Sequence, residues 1–140
     1  MTITLERTQA DYGFTATDAD HKTVLFDTSP EDGGLRYGVR PMQSLLMALG
    51  SCSGIDIVSI LKKKKVNFTR IHMVISGERE QDRVPALWQN VNVVFTISGT
   101  SELEKVEHAV SLSINKYCSV AETLRRAGCI ITWKVILSGE

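Results

Sequence analysis

The chain has 140 residues and a mass of 15.5 kDa, the length of one domain. Apolar residues make up 43% and charged residues 23%, so a single hydrophobic core forms without disulfide staples. Sixteen Lys and Arg balance sixteen Asp and Glu, which removes the basic footprint of a nucleic-acid or anionic-membrane binder.

Met1–Leu5 is too short for the apolar region of a signal peptide and lacks its basic flank. The most apolar stretch, Leu45–Leu61, is interrupted by Ser51, Ser53, Asp56 and Ser59 and does not read as a membrane span. The three cysteines, Cys52, Cys118 and Cys129, are odd in number and widely spaced, unlike a secreted disulfide framework. There is no CxxC and no ligand set for structural zinc. A cytoplasmic protein with reduced thiols, no cofactor, no nucleic acid and no membrane is expected.

In chain order, the first 30 residues alternate like strands. Ile3 and Leu5 share one face, Tyr12 and Phe14 another, Val24 and Phe26 a third. Asp18-Ala19-Asp20-His21 reads as a hairpin turn. Ser29–Gly38, with Pro30 and three glycines, reads as the most mobile segment. Pro41 suits the first turn of a helix running to about Lys64, with Met42, Leu45, Leu49, Cys52, Ile55 and Ser59 on one side. Lys62–Lys65 places four cations at its C-terminus, where the helix dipole favours them and water solvates them. Two long strands follow, Val66–Arg79 and Gln89–Ser98, joined through Arg83–Leu87. Ser101 with Glu104, and Ser119 with Glu122, read as capping boxes opening two helices; Gly128 closes the second. Cys129–Leu137 reads as a buried final strand. Strands, helix, strands, helices and strand make an α+β domain over residues 1–140.

Cys52 sits mid-helix in Leu49-Gly50-Ser51-Cys52-Ser53-Gly54. Two glycines there cost roughly 1 kcal/mol each against alanine, so something must approach the helix closely. The small residues also leave the sulfur accessible in an apolar stripe of Leu45, Ala48, Leu49 and Ile55. A packed core cysteine is the bland alternative. Cys118, just before the Ser119 cap, falls at a helix N-terminus, which favours a thiolate. It too has a packed alternative, and spacing does not decide whether the two sulfurs meet. Cys129 opens a strand and reads as structural. Asp56, one turn after Cys52, is an anion that opposes a thiolate there, or a partner for Arg36, Arg40 or a lysine. His21, His72 and His108 show no HxxxH spacing, so they define no metal site. The glycines around Cys52 match a nucleophile elbow only on paper, because the pattern is helical.

Two blocks carry a family resemblance. The first is Arg40-Pro41-Met42 with Leu45-Leu46-Met47-Ala48-Leu49-Gly50-Ser51-Cys52-Ser53-Gly54-Ile55-Asp56. The second is Lys116-Tyr117-Cys118-Ser119-Val120-Ala121-Glu122-Thr123-Leu124. In order and spacing they resemble the OsmC/Ohr family of thiol peroxidases, closest to its YhfA-like branch. The resemblance implies an OsmC-like fold and an intertwined homodimer whose central helices pack together around the small residues. It implies Cys52 as peroxidatic thiol, Cys118 as resolving thiol, and Arg36 or Arg40 as the cation stabilising the thiolate. The implied chemistry reduces organic hydroperoxides through a Cys52 sulfenic acid and a Cys52–Cys118 disulfide, restored by a lipoyl-type or thioredoxin-like dithiol. The chain departs from the family where peroxidase members carry a Glu after the helix-opening Pro: Met42 stands there, and Gln43 stands where the YhfA-like branch has its Glu. A non-catalytic apolar-ligand binder or a redox sensor on the same scaffold is the alternative.

Overall fold

The computed structural model describes residues 1–139. The chain divides into two compact units, Met1–Leu45 and Leu46–Glu140.

In the first unit the three expected strands form an antiparallel meander: β1 (Thr4–Gln9), β2 (Gly13–Thr17) and β3 (Thr23–Phe26). The turn between β2 and β3 is built on Asp18, whose Oδ1 accepts from the N–H groups of Asp20 and Lys22, both at 2.9 Å. Segment 29–38 is not the loose loop its glycines predict. The buried Asp27 carboxylate at its root accepts N–H bonds from Thr28 (2.8 Å), Leu35 (2.8 Å) and Tyr37 (3.0 Å). Led by the Tyr37 amide, these donors hold the Asp27 carboxyl below its ordinary value, against the opposing effect of burial. The Tyr37 hydroxyl then ties the segment to the sheet through Thr15 (3.0 Å) and Thr8 (3.1 Å).

A long helix, α1 (Pro41–Lys63), starts at the proline as expected and runs on into the second unit. There it lies on a three-stranded sheet of β4 (Arg70–Arg79), β5 (Trp88–Ser98) and β6 (Ile130–Ser138), in that spatial order. The β4–β5 pair is antiparallel and β5–β6 is parallel. The parallel pair requires a crossover. It is made by α2 (Leu103–Leu112), a π-helical turn (Ser113–Tyr117) and α3 (Ser119–Arg126). The inward residues of β5, namely Val91, Val93, Phe95 and Ile97, are buried with Leu49, Ile57 and Leu61 of α1 and Val106 and Val110 of α2.

The glycines beside Cys52 have their explanation within one chain. A Cβ added at Gly50 would lie 2.6 Å from Cδ1 of Ile75, and one at Gly54 would lie 3.0 Å from Cε of Met73. Both partners are on β4, so the missing side chains let the helix sit low on the sheet. By length and composition α1 could cross a membrane, with a mean hydropathy of 1.8 in its most apolar window. Leu49, Ile57 and Leu61 are nevertheless fully buried in the second unit, and Asp56 makes a hydrogen bond in mid-helix.

Three local expectations are corrected. Neither capping box forms: α2 is preceded by Glu102, whose N–H goes to the Thr100 hydroxyl (3.2 Å), and α3 is capped by Cys118. Glu122 instead pairs with Arg126 (2.8 Å) and Arg125 (3.6 Å). The strand expected from Val66 begins at Arg70. The final strand alternates between half-buried and exposed residues, so only one of its faces packs and it is not the buried strand expected.

Candidate functional site

The site is a meeting of α1 with the π-helical turn and the start of α3. Cys52 and Asp56, four residues apart on α1, face the same way. Cys118 comes from the junction between the π turn and α3. The reactive atoms of all three residues lie within 4.8 Å of one another. Cys52 and Asp56 are half-buried, and Cys118 is 2% exposed.

The π turn places Cys118. Its wider winding ends with the Cys118 N–H bonded to the Ser113 carbonyl at 2.8 Å. The Arg125 guanidinium, reaching back from α3, takes the Ile114 carbonyl and Asn115 Oδ1, so groups at the end of the turn are not left unpartnered. Cys118 has extended backbone angles, as an N-cap requires, and its Sγ accepts the Ala121 N–H at 3.4 Å.

Ser113 locks the turn to α1. Its fully buried hydroxyl lies 3.1 Å from the Ser53 carbonyl and 3.3 Å from Asp56 Oδ2. Ser53 is equally buried, and its own hydroxyl turns back to the Leu49 (2.8 Å) and Gly50 (3.1 Å) carbonyls. Asp56 therefore has a partner within the second unit, the Ser113 hydroxyl. No pattern in the sequence singles out Ser113; it lies 57 positions from Asp56 and becomes relevant only when the helices pack.

The electrostatics of Cys118 differ from the sequence expectation. The helix N-terminus is there, but burial outweighs it and pushes the Cys118 thiol up to about 11, with the neighbouring Cys52 acting in the same direction and the Ala121 N–H opposing. Cys118 thus keeps its proton at neutral pH. Cys129 is buried, raised by burial, and its sulfur faces the Ile130 carbonyl at 3.8 Å, in keeping with a structural role.

Arg36 and Arg40 both belong to the first unit and are exposed. Arg36 adopts a φ of +60° in the segment anchored by Asp27. The backbone N–H of Arg40 donates to Gln43 Oε1 at 3.4 Å, the returning half of a capping box. Gln43, at a position where an acid was expected, thus serves the start of α1. In the second unit, an apolar groove runs between α1 and β4, lined by Gly54, Ile55, Val58, Ile71 and Met73. A more polar one beside Cys118 is lined by Tyr117, Ser119, Glu122 and Arg126 among others.

A long helix bearing one cysteine, laid on a three-stranded sheet, with a second cysteine capping a later helix against it, defines an OsmC-like α+β protein. The comparisons agree. Residues 31–134 match the family described as OsmC-like protein, and the chain belongs to that family. Protein YhfA of Escherichia coli K12 is 40% identical over 88 residues, which is 62% of this chain and 65% of that relative, just under two thirds of its length. A hypothetical protein from Aquifex aeolicus superposes with a TM-score of 0.80 at 28% identity, covering 98% of this chain and 96% of the other. The organic hydroperoxide resistance protein OsmC from Legionella pneumophila superposes with a TM-score of 0.71 over 96% of each chain, and at 14% identity it bears on the fold alone.

Proposed function

We propose that the protein is a cysteine-based peroxidase that reduces organic hydroperoxides with an external dithiol, acting as a cytoplasmic homodimer built from one OsmC-like domain per chain. The observation that carries this reading is the approach of the Cys52 and Cys118 sulfurs to within 4.8 Å, one half-buried and the other almost fully buried. Membership of the OsmC-like family supports it, as does the fold shared with an organic hydroperoxide resistance protein.

The chemistry follows from the two environments. The Cys52 thiolate, the more accessible sulfur, attacks the distal peroxide oxygen. The O–O bond breaks, the alkoxide leaves and is protonated to the alcohol, and Cys52 becomes a sulfenic acid. Cys118 then attacks the Cys52 sulfur, its proton going to the departing hydroxide to make water, and a disulfide remains. A lipoyl-type or thioredoxin-like dithiol reduces that disulfide by exchange and is itself oxidised to a disulfide. A buried Cys118 held as a thiol waits for the sulfenic acid rather than competing for peroxide. Arg36 or Arg40 supplies the cation that favours the Cys52 thiolate.

Two features support the dimer. Every residue of β1 is exposed in the single chain, and a sheet that buries so little is not stable uncovered. Only 28% of the most apolar window of α1 is buried, and Ile55 (69% exposed) and Met47 (54%) lie bare on it.

The test is turnover of cumene hydroperoxide with a dithiol. Cys52→Ser should abolish it, and Cys118→Ser should stop after one oxidation, at the sulfenic acid. Arg36→Ala and Arg40→Ala, made separately, should show one of the two losing rate. Undiminished turnover by Cys52→Ser contradicts the reading. Asp56 is the observation favouring a redox sensor or an apolar-ligand binder instead, because its carboxylate lies within 4.8 Å of both sulfurs and opposes a thiolate. The sensor predicts oxidation without sustained dithiol-driven turnover, and the ligand binder predicts thiols that peroxide leaves untouched.

A further inference from the structure

The geometry points to a second use of the same pocket: Cys52, Asp56 and Cys118 form a three-donor site for a thiophilic divalent ion, Zn2+ in the first instance. Among the described residues they are the one group of three or more such side chains whose donor atoms converge, all within 4.8 Å of one another. Bond lengths of about 2.3 Å to sulfur and 2.0–2.2 Å to oxygen put two donors of a tetrahedral Zn2+ about 3.5–3.8 Å apart. The three donor atoms, all within 4.8 Å of one another, are therefore at most about 1 Å beyond that separation.

The supporting contacts fit a metal site. Cys52 and Asp56 have the i, i+4 helical spacing by which two ligands on one face share an ion. The Ser113 hydroxyl, shared between the Ser53 carbonyl at 3.1 Å and Asp56 Oδ2 at 3.3 Å, braces the carboxylate beside the two sulfurs, the role that an outer hydrogen bond plays at metal sites. The Ala121 N–H donates to Cys118 Sγ and stabilises negative charge on that sulfur. Two thiolates with one carboxylate select Zn2+ over Mg2+ or Ca2+. Three protein donors leave the fourth position to water or another exchangeable ligand. None of this could be read from histidine spacing or a CxxC pattern, because the third donor comes from a distant element.

Binding exchanges protons for metal. Zn2+ enters, any sulfur still protonated loses its proton, and two S–Zn bonds form without oxidation of either sulfur. The same two sulfurs cannot then join in a disulfide. Zinc and the disulfide are therefore mutually exclusive occupants of one pocket, so the ion protects the thiols and is expelled when they are oxidised.

The experiment uses the full-length protein, reduced, treated with a chelator and then freed of it. Zn2+ is titrated in competition with a chromophoric chelator, and Co2+ in parallel as a probe of thiolate-to-metal charge transfer. The expected result is a single Zn2+ per chain, release of the Cys118 proton and of any proton still held by Cys52, and a charge-transfer band. Cys52→Ser and Cys118→Ser should each weaken the band, Asp56→Ala should weaken affinity at least ~10-fold, and Cys129→Ser should change nothing. If Cys118→Ser fails to fold by circular dichroism, the half-buried Cys52 and Asp56 variants decide. Wild-type affinity no greater than that of Cys52→Ser, or a band that follows Cys129, overturns the proposal. The outcome is separable from the peroxidase reading, because zinc binding needs no peroxide and peroxide turnover by metal-free protein needs no zinc.

Discussion

The Ser113 hydroxyl sits between the Ser53 carbonyl and Asp56 Oδ2, at 3.1 and 3.3 Å, and so ties the π turn that presents Cys118 to the helix that presents Cys52. Ser113→Ala removes this tie from a fully buried position. A loss of about 1–2 kcal/mol in urea unfolding is expected, together with slower disulfide formation between the two cysteines. A variant as stable as wild type and oxidised as fast would show that the bridge positions nothing.

The three thiols should differ in reactivity. Cys118 is 2% exposed and its thiol is pushed up to about 11, while Cys52 is half-buried and Cys129 4% exposed. Iodoacetamide at mildly alkaline pH should therefore label Cys52 first, followed by mass spectrometry of the peptides. The sign of the linked effect on stability is also fixed. A Cys118 value raised in the fold means that the unfolded chain loses that proton first. Stability from this group is present below its ordinary value of 9.0 and falls as pH rises from there toward about 11. Simultaneous labelling of Cys52 and Cys118 in the native protein would contradict the assignment.

Asp27 gives the opposite pH dependence. Its folded value is lowered, chiefly by the Tyr37 amide, so its contribution is present above the ordinary 3.8 and is lost as pH falls through the depressed value. Hydrogen exchange at the Leu35 and Tyr37 amides should be protected at neutral pH in the wild type and fast in Asp27→Ala. Equal protection in that variant would mean that the carboxylate does not hold the segment.

The two glycines of α1 should respond differently to alanine. At Gly54 the new methyl meets only the flexible end of Met73 at 3.0 Å, and at Gly50 it meets Ile75 Cδ1 at 2.6 Å. Alanine gains up to about 1 kcal/mol of helix propensity at either position. Gly54→Ala should therefore melt at or above wild type, and Gly50→Ala below Gly54→Ala. The reverse order would mean that α1 does not rest on β4 at these residues.

Most of the secondary structure was legible because periodicity is a local signal. Val91, Val93, Phe95 and Ile97 alternate and are buried, and Pro41 does open the long helix. The errors arose where neighbours compete for one role. Ser119 looked like a better cap than Cys118, yet extended backbone at Cys118 brings its sulfur to the Ala121 N–H. Cys129–Leu137 reads as buried because it is apolar, but its side chains alternate between half-buried and exposed, so only one face of it packs. The parallel β5–β6 pairing and the meeting of Cys52, Asp56 and Cys118 depend on contacts between distant segments, which no local pattern encodes. The pairing of the two cysteines is what the family resemblance implies, not what any local pattern encodes. Neither the resemblance nor the periodicity pointed to Ser113 or to the hold of Arg125 on the π turn.

The pairing of Cys52 with Cys118 is tested most directly by peptide mass spectrometry of the reduced protein after one equivalent of cumene hydroperoxide, with hydrogen peroxide in parallel. The account predicts rapid loss of two hydrogen atoms per chain, mapped to a Cys52–Cys118 cross-link, faster with the organic peroxide, and Cys129 left as a free thiol. Three intact thiols, or a disulfide that includes Cys129, would contradict it.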